Sequence, residues 1–336
     1  MKKIFIRSPY FVQINSTIGG KVELFFYNKG ESVPTDATYT LVKKIPSANQ
    51  PLLTFNISNY AKEFINPINP ISVTTPDAET SNTFCYVLVK KYEETTSGFD
   101  LISEETIVCL NGFSAYADGY NYSTTDAVVP MFNENINRQL FGGEYVNCYI
   151  DDFGGDTPRW INSDGDFYFI ANGNVYKLRL KAGANRLYND NTATTYFTIT
   201  ATDVCEPKYT PMQCTFINRY GGWEYLTFFK ASYLSTDATK QDYNLLPSSV
   251  NYNVLQGQRQ SFNLQGKSKI KVNTGWVAEN YFELVEDLML SKTILLDNKP
   301  VTIKTSSMDK KQGVFDRVIN YTIEFDYNFG VINDVV

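Results

Sequence analysis

The sequence predicts a mainly β protein, and three observations carry that expectation. Aromatic residues make up 15% of the chain, with 24 tyrosines and 23 phenylalanines, residue types that suit pleated, half-buried surfaces better than helix faces. Short β-rich runs recur between Gly, Pro and Asn clusters, and the C-terminal segment alternates strictly between apolar and polar residues. The predicted architecture is two or three β-sandwich or β-barrel-like domains in tandem, with one helix on the C-terminal sheet. A length of 336 residues is enough for two or three such cores.

The first region, 1–115, reads as an immunoglobulin- or fibronectin-like sandwich. Its first strand is expected in Met1–Arg7, followed by Lys21–Tyr27, Tyr39–Val42, Phe84–Val89 and Thr106–Leu110. A helical turn is expected over Ser58–Ile65, with Ser58 as cap, Tyr60 and Phe64 on one face and Pro67 as stop. The middle region, 116–205, is rich in Asn, Asp and Gly. Phe167–Ile170 and Val175–Leu180 around Asn172-Gly173-Asn174 read as a hairpin, with Tyr176, Leu178 and Leu180 on one face and Lys177, Arg179 and Lys181 on the other. Tyr196–Thr200 is expected to complete this region.

The last region, 206–336, opens with two apolar strands around Arg219-Tyr220-Gly221-Gly222. Lys269–Val272 is expected as a strand, and Tyr281, Leu284, Val285 and Leu288 recur at helical spacing within Glu279–Leu290. At the end, Ile319, Tyr321, Ile323, Phe325, Tyr327 and Phe329 alternate with polar residues, as on a half-buried antiparallel strand.

The composition narrows the function classes. Thirty-six acidic against 30 basic residues give a net charge of −6, which leaves no general basic surface for a nucleic acid and permits at most passive contact with DNA in a channel. No apolar run approaches bilayer-spanning length, and the N-terminus lacks the apolar core of a secretory signal. The chain contains no histidine, which removes every Ser-His or Cys-His nucleophile arrangement. Its five cysteines, Cys85, Cys109, Cys148, Cys205 and Cys214, lack the paired spacing of a zinc site and read as buried free thiols. No enzymatic activity, metal or other cofactor is expected.

Two constellations remain to be weighed. Asp151, Asp152 and Asp156, with Asp164 and Asp166, could be drawn as a calcium loop or a glycosidase pair. Asp, Asn and Gly are also the ordinary turn residues, and no bidentate Glu stands where an EF-hand needs it. As turn residues, Asp151, Asp152, Asp164 and Asp166 should tolerate substitution. Trp160, Trp223 and Trp276 lie near Gly or Asp, as sugar-stacking platforms do, with core or inter-domain packing as the ordinary alternative. Arg219, Tyr220, Trp223 and Trp276 are the interface candidates, because Arg and aromatic residues dominate binding hot spots. Around Trp223 a Gly-Gly turn allows close approach to another backbone, and a core position for Trp223 is the competing reading.

The segments Cys214–Ser232, with its Phe-Ile-Asn-Arg-Tyr-Gly-Gly-Trp core, Ile270–Glu279 with the helix after it ending at Ser291, Asn320–Phe325, and Ile4–Tyr10 resemble virion proteins of crAss-like phages and related phages of Bacteroidota. The resemblance covers both ends and roughly the last third of the chain. It implies a ring or tail-hub subunit of the virion tail or neck, made in the host cytoplasm. Such a subunit would form a homo-oligomeric ring below the portal, contact other tail, neck or portal proteins, and help form the DNA-ejection conduit. A closed ring needs two different complementary faces on each subunit. The rival expectations are a carbohydrate- or receptor-binding β protein of a phage fibre or bacterial surface, and a carboxylate-based glycan hydrolase.

Overall fold

The computed structural model describes residues 1–45, 51–67, 75–78, 83–151, 153, 158–170, 173–204, 208–246, 253, 255, 257–310 and 319–332. The chain is mainly β. It divides into two compact units, Met1–Asp203 with Ile217–Glu224, and Val204–Phe216 with Tyr225–Val336. The first unit takes in the region read as 1–115, the region read as 116–205 up to Asp203, and the Arg219–Gly222 turn.

The first unit is a stack of sheets. A six-stranded sheet runs in the order Tyr39–Lys44, Gly19–Tyr27, Phe84–Thr95, Gly98–Leu110, Lys2–Phe5, Ser123–Thr124. Lys2–Phe5 lies parallel to Gly98–Leu110, with Lys2 opposite Ile107 and Phe5 opposite Leu110. One face of this sheet, bearing Val22, Leu24, Val87 and Val89, packs with the hairpin Phe11–Asn15/Leu52–Asn56 and the short helix Ser58–Ala61. Its other face presents Phe84, Val108 and Leu110 to Val129, Tyr149 and Val175 of a second sheet.

The second sheet has four strands, Val128–Pro130, Tyr145–Ile150, Asn174–Arg179 and Asp77–Ala78. Its far side packs Val146, Cys148 and Leu178 against Trp160, Leu187 and Phe197 of a five-stranded sheet. Covered on both faces, Tyr145–Ile150 is buried at every residue, although an antiparallel strand often leaves one face in water.

Three local expectations are corrected here. Phe167–Phe169 pairs with Arg159–Ile161 in the five-stranded sheet, whereas Asn174–Arg179 pairs with Tyr145–Ile150 in the four-stranded one, so the two strands do not form a hairpin. Gly173, at φ +68°, serves a crossing between sheets. Alternation defines a strand's faces and leaves its neighbour undetermined. Lys177 is not on a solvated face either: it is 4% exposed, with its ammonium 5.6 Å from the Tyr145 ring centroid. Ser58 is the first helical residue and not the cap, and its N–H donates to Asn56 Oδ1 at 3.1 Å.

A seven-stranded sheet runs in the order Trp223–Phe228, Met212–Ile217, Ile294–Leu296, Lys299–Ile303, Thr322–Ile332, Arg259–Asn273, Tyr233–Asn244, and all of it but Ile217, Trp223 and Glu224 belongs to the second unit. The expected helix is present: Glu279–Tyr281 is a 3₁₀ turn leading into an α-helix over Phe282–Leu290. Tyr281, Leu284, Val285 and Leu288 are all buried. Ile319, Tyr321, Ile323 and Phe325 form the buried face of the last strand as the alternation predicts, but Phe329 farther along is 63% exposed. No helix among the described residues is long and apolar enough to cross a membrane.

Candidate assembly surfaces

The turn after Asn218 is built to fasten to its own unit. Gly221 adopts φ +87°, and a β-carbon there would overlap the Asn111 carbonyl, while one at Gly222 would overlap the Met131 carbonyl. This is the close backbone approach that paired glycines permit. Asn218 holds the turn, its Nδ2 donating to Met131 O at 2.8 Å and its Oδ1 accepting Gly222 N–H at 3.1 Å. Arg7 Nη1 donates to Asn218 O at 3.0 Å, and Phe113 N–H to Arg219 O at 2.8 Å.

Trp223 follows with a buried side chain, 1% exposed, and its backbone N–H donates to Asn147 Oδ1 at 2.8 Å. Its ring is covered by its own chain, so the core position replaces the interface one. Tyr220 is partly buried against the Phe84–Val108–Tyr149 cluster, and Arg219 is half-buried. Next to them Glu224 meets Arg138 Nη1 at 2.7 Å, with both side chains nearly inaccessible. Sequence reasoning missed Asn147, Asn218 and Arg138, because partners more than 70 residues apart leave no local signal. Trp160 is buried, and its Nε1 donates to Arg179 O at 2.8 Å. Of the interface candidates, Trp276 stays open, 59% exposed.

The structure separates the carboxylates. Asp151 Oδ2 accepts from Lys3 Nζ at 2.5 Å, and that ammonium also donates to Asp126 O at 2.8 Å. Lys3 is 0% exposed, so Asp151 neutralises a buried cation, and the expectation that it is a tolerant turn residue is corrected. Asp164 and Asp166 flank Gly165 in the tight turn between Arg159–Ile161 and Phe167–Phe169. Both bind Lys181, at 2.9 and 2.6 Å, and these bonds, that to Asp166 foremost, raise the lysine's pKa. Asp152 and Asp156 lie outside the described residues. Among the described residues no three Asp, Glu, Cys or His side chains gather as a metal site.

Open surface is concentrated elsewhere. In the second unit, Tyr233–Asn244 is exposed at all 12 residues. Among the described residues it pairs with Arg259–Asn273 alone, and its other side is an edge of the sheet. Tyr233 and Leu234 are each 69% exposed, and Phe262 on the neighbouring strand is 47% exposed. The register shift opposite Thr239–Gln241 gives the extra residue to the inner strand, where Asn263 has φ +52°. The outer strand therefore carries no bulge of its own. In the first unit, Gly98–Glu104 is the exposed half of a long strand, with Leu101 and Ile102 about half in solvent.

A polar cleft of about 360 Å³ opens beside Phe11, lined also by Lys2, Gln13, Asn15, Glu105 and Asn121. Asn121, at φ +56°, pairs its amide with both backbone groups of Phe11 at 2.7 Å. This holds the exposed Tyr120 ring stacked on Phe11, 5.5 Å between centroids and 8° between planes. No protein family, curated protein or solved structure matches this chain.

Proposed function

We propose that the chain is a non-enzymatic structural subunit of a phage virion, in the tail or neck, that works through contacts with copies of itself and with neighbouring virion proteins. The observation that supports this reading most is the open edge strand Tyr233–Asn244, which offers a row of backbone donors and acceptors with no protecting proline and one lysine. Long, flat, exposed edges pair with other chains unless they are blocked. The net charge of −6 suits a wall past which DNA moves without sticking, since like charges repel. Light scattering and negative-stain imaging of the purified full chain, alone and with lysate of infected cells, test the reading. Closed rings or hubs incorporating the chain support it. A chain that stays monomeric in both and is absent from purified virions overturns it.

A carbohydrate-binding role is the second reading, favoured by the polar cleft beside the Tyr120–Phe11 stack. An exposed aromatic face next to hydrogen-bonding side chains is the arrangement that holds a sugar ring. Glycan binding by the isolated chain, lost in Tyr120→Ala with unchanged melting temperature, would favour this role over assembly.

A further inference from the structure

Cys85 and Cys109 stand directly opposite one another in the antiparallel pair Phe84–Thr95/Gly98–Leu110. Both are free thiols, 0% exposed, in the same core cluster. Directly opposed residues in an antiparallel pair have Cα atoms about 4.5 or about 5.5 Å apart, according to their place in the ladder. Both spacings fall within the roughly 4.4–6.8 Å that a disulfide bridges. The two sulfurs also interact, and the Cys85 sulfur together with burial pushes the Cys109 thiol well above its ordinary range. Cys148 belongs to a different cluster and Cys214 to the other unit.

We propose that Cys85 and Cys109 are a cross-strand dithiol that oxidises to an intrachain disulfide. The oxidant is a small disulfide of the oxidised glutathione class. One cysteine thiolate attacks a glutathione sulfur and expels a glutathione thiolate, leaving a mixed disulfide. The second cysteine thiolate attacks the protein-bound sulfur and expels the other glutathione. The protein loses two thiol protons to solvent, one S–S bond forms, and the glutathione disulfide is reduced to two thiols.

The link would fix the register of two strands at the level of the core, below the exposed half Gly98–Glu104. Through the pairing of Cys109 with Ile4 it would also hold the N-terminal strand's platform. With both sulfurs buried, exchange needs either local opening or a chain that has not finished folding, because attack requires access and thiolate character. A chain made under reducing conditions would thus carry the dithiol and close it only on later exposure to oxidant. This inference is independent of the assembly reading.

The test is to refold the fully reduced full-length chain in a mixture of oxidised and reduced glutathione, alkylate the remaining thiols and map the peptides. The same is done with the variant Cys148→Ser/Cys205→Ser/Cys214→Ser, which removes every alternative partner. The expected result in both proteins is a Cys85–Cys109 peptide link, a loss of two hydrogens in intact mass, a higher melting temperature, and reversal by dithiothreitol. The inference is overturned if Cys85 and Cys109 are recovered alkylated or individually capped by glutathione, with no bond between them. Failure of the triple variant to refold leaves the wild-type peptide map to decide on the same criterion.

Discussion

Lys3 and Asp151 form an ion pair of 2.5 Å in which the ammonium is wholly buried and the carboxylate is 17% exposed. The pair joins the N-terminal strand of the six-stranded sheet to the end of Tyr145–Ile150, the central strand of the next layer. Asp126 O at 2.8 Å completes the ammonium's shell, and the chain's own N-terminus lies 3.3 Å from the same carboxylate oxygen. Removing one partner of a buried pair leaves the other charge without compensation, a larger penalty than the pair's own net value. Asp151→Ala is therefore expected to cost about 3 kcal/mol, measured by urea denaturation. Lys3→Met/Asp151→Ala should recover part of that loss, and equal losses in the single and double variants would refute the coupling.

Glycine at position 221 is demanded twice, by its positive φ and by the Asn111 carbonyl lying where a β-carbon would go. Gly30, in the turn closed by Glu31 N–H donating to Asn28 O at 3.1 Å, has nearly the same φ, +84°, with nothing within 4 Å of its β position. Gly30→Ala should therefore cost about 1 kcal/mol, the conformational penalty alone. Gly221→Ala should cost at least about 2 kcal/mol, since the turn must also move off the neighbouring backbone. Thermal unfolding of the two variants side by side checks the difference.

How far the sequence revealed this molecule depends on the range of the interaction concerned. The helix over Glu279–Leu290 and the buried face Ile319–Phe325 were legible because their periodicity is local and one side meets a core. The strand Arg259–Asn273 was visible only as Lys269–Val272, where Ile270 and Val272 are buried. Its outer half is mostly polar and largely exposed, and Phe262 and Leu264 make too short an alternation to reveal it. The false hairpin at Gly173 and the buried Lys177 share one cause, a four-stranded sheet covered on both sides, which local alternation cannot express. At the candidate surfaces, an Arg-aromatic-glycine cluster describes a fastening turn and an interface equally well. Asn147 and Met131, which hold the turn, are set by tertiary structure.

Glu23 links stability to pH at both ends of the scale. Burial raises its pKa, but bonds from Lys21 Nζ at 2.7 Å and Tyr92 OH at 2.8 Å outweigh that and hold it below its ordinary 4.5. Burial, followed by the bond to Glu23, pushes Tyr92 up to about 12. A depressed carboxyl stabilises the fold above its unfolded pKa, and that contribution is lost as pH falls through the lower folded value. A raised phenol keeps its proton longer in the folded state, so stability falls as pH climbs from about 10 to about 12. In Glu23→Gln, the acid-side loss below pH 4.5 should be smaller than in wild type. Tyrosinate absorbance should also report Tyr92 ionising nearer its ordinary value. An acid limb and a phenol titration both identical to wild type would exclude the coupling.

Trp223 and Trp276 should respond oppositely to truncation. Trp223 is 1% exposed, and its backbone N–H is tied to Asn147 in the same unit. Removing a buried indole loses its transfer free energy and leaves a cavity that the surrounding sheet fills only in part. Trp223→Ala should thus cost about 3–5 kcal/mol, and on the assembly reading any loss of incorporation should follow from that instability. Trp276 is 59% exposed, and truncation of an exposed side chain should shift stability by no more than about 0.5 kcal/mol. If the exposed indole is a contact with a neighbouring subunit, Trp276→Ala should reduce incorporation into particles at unchanged melting temperature. Normal incorporation of a stable Trp276→Ala protein would remove this residue from the assembly surface and leave the Tyr233–Asn244 edge to carry it.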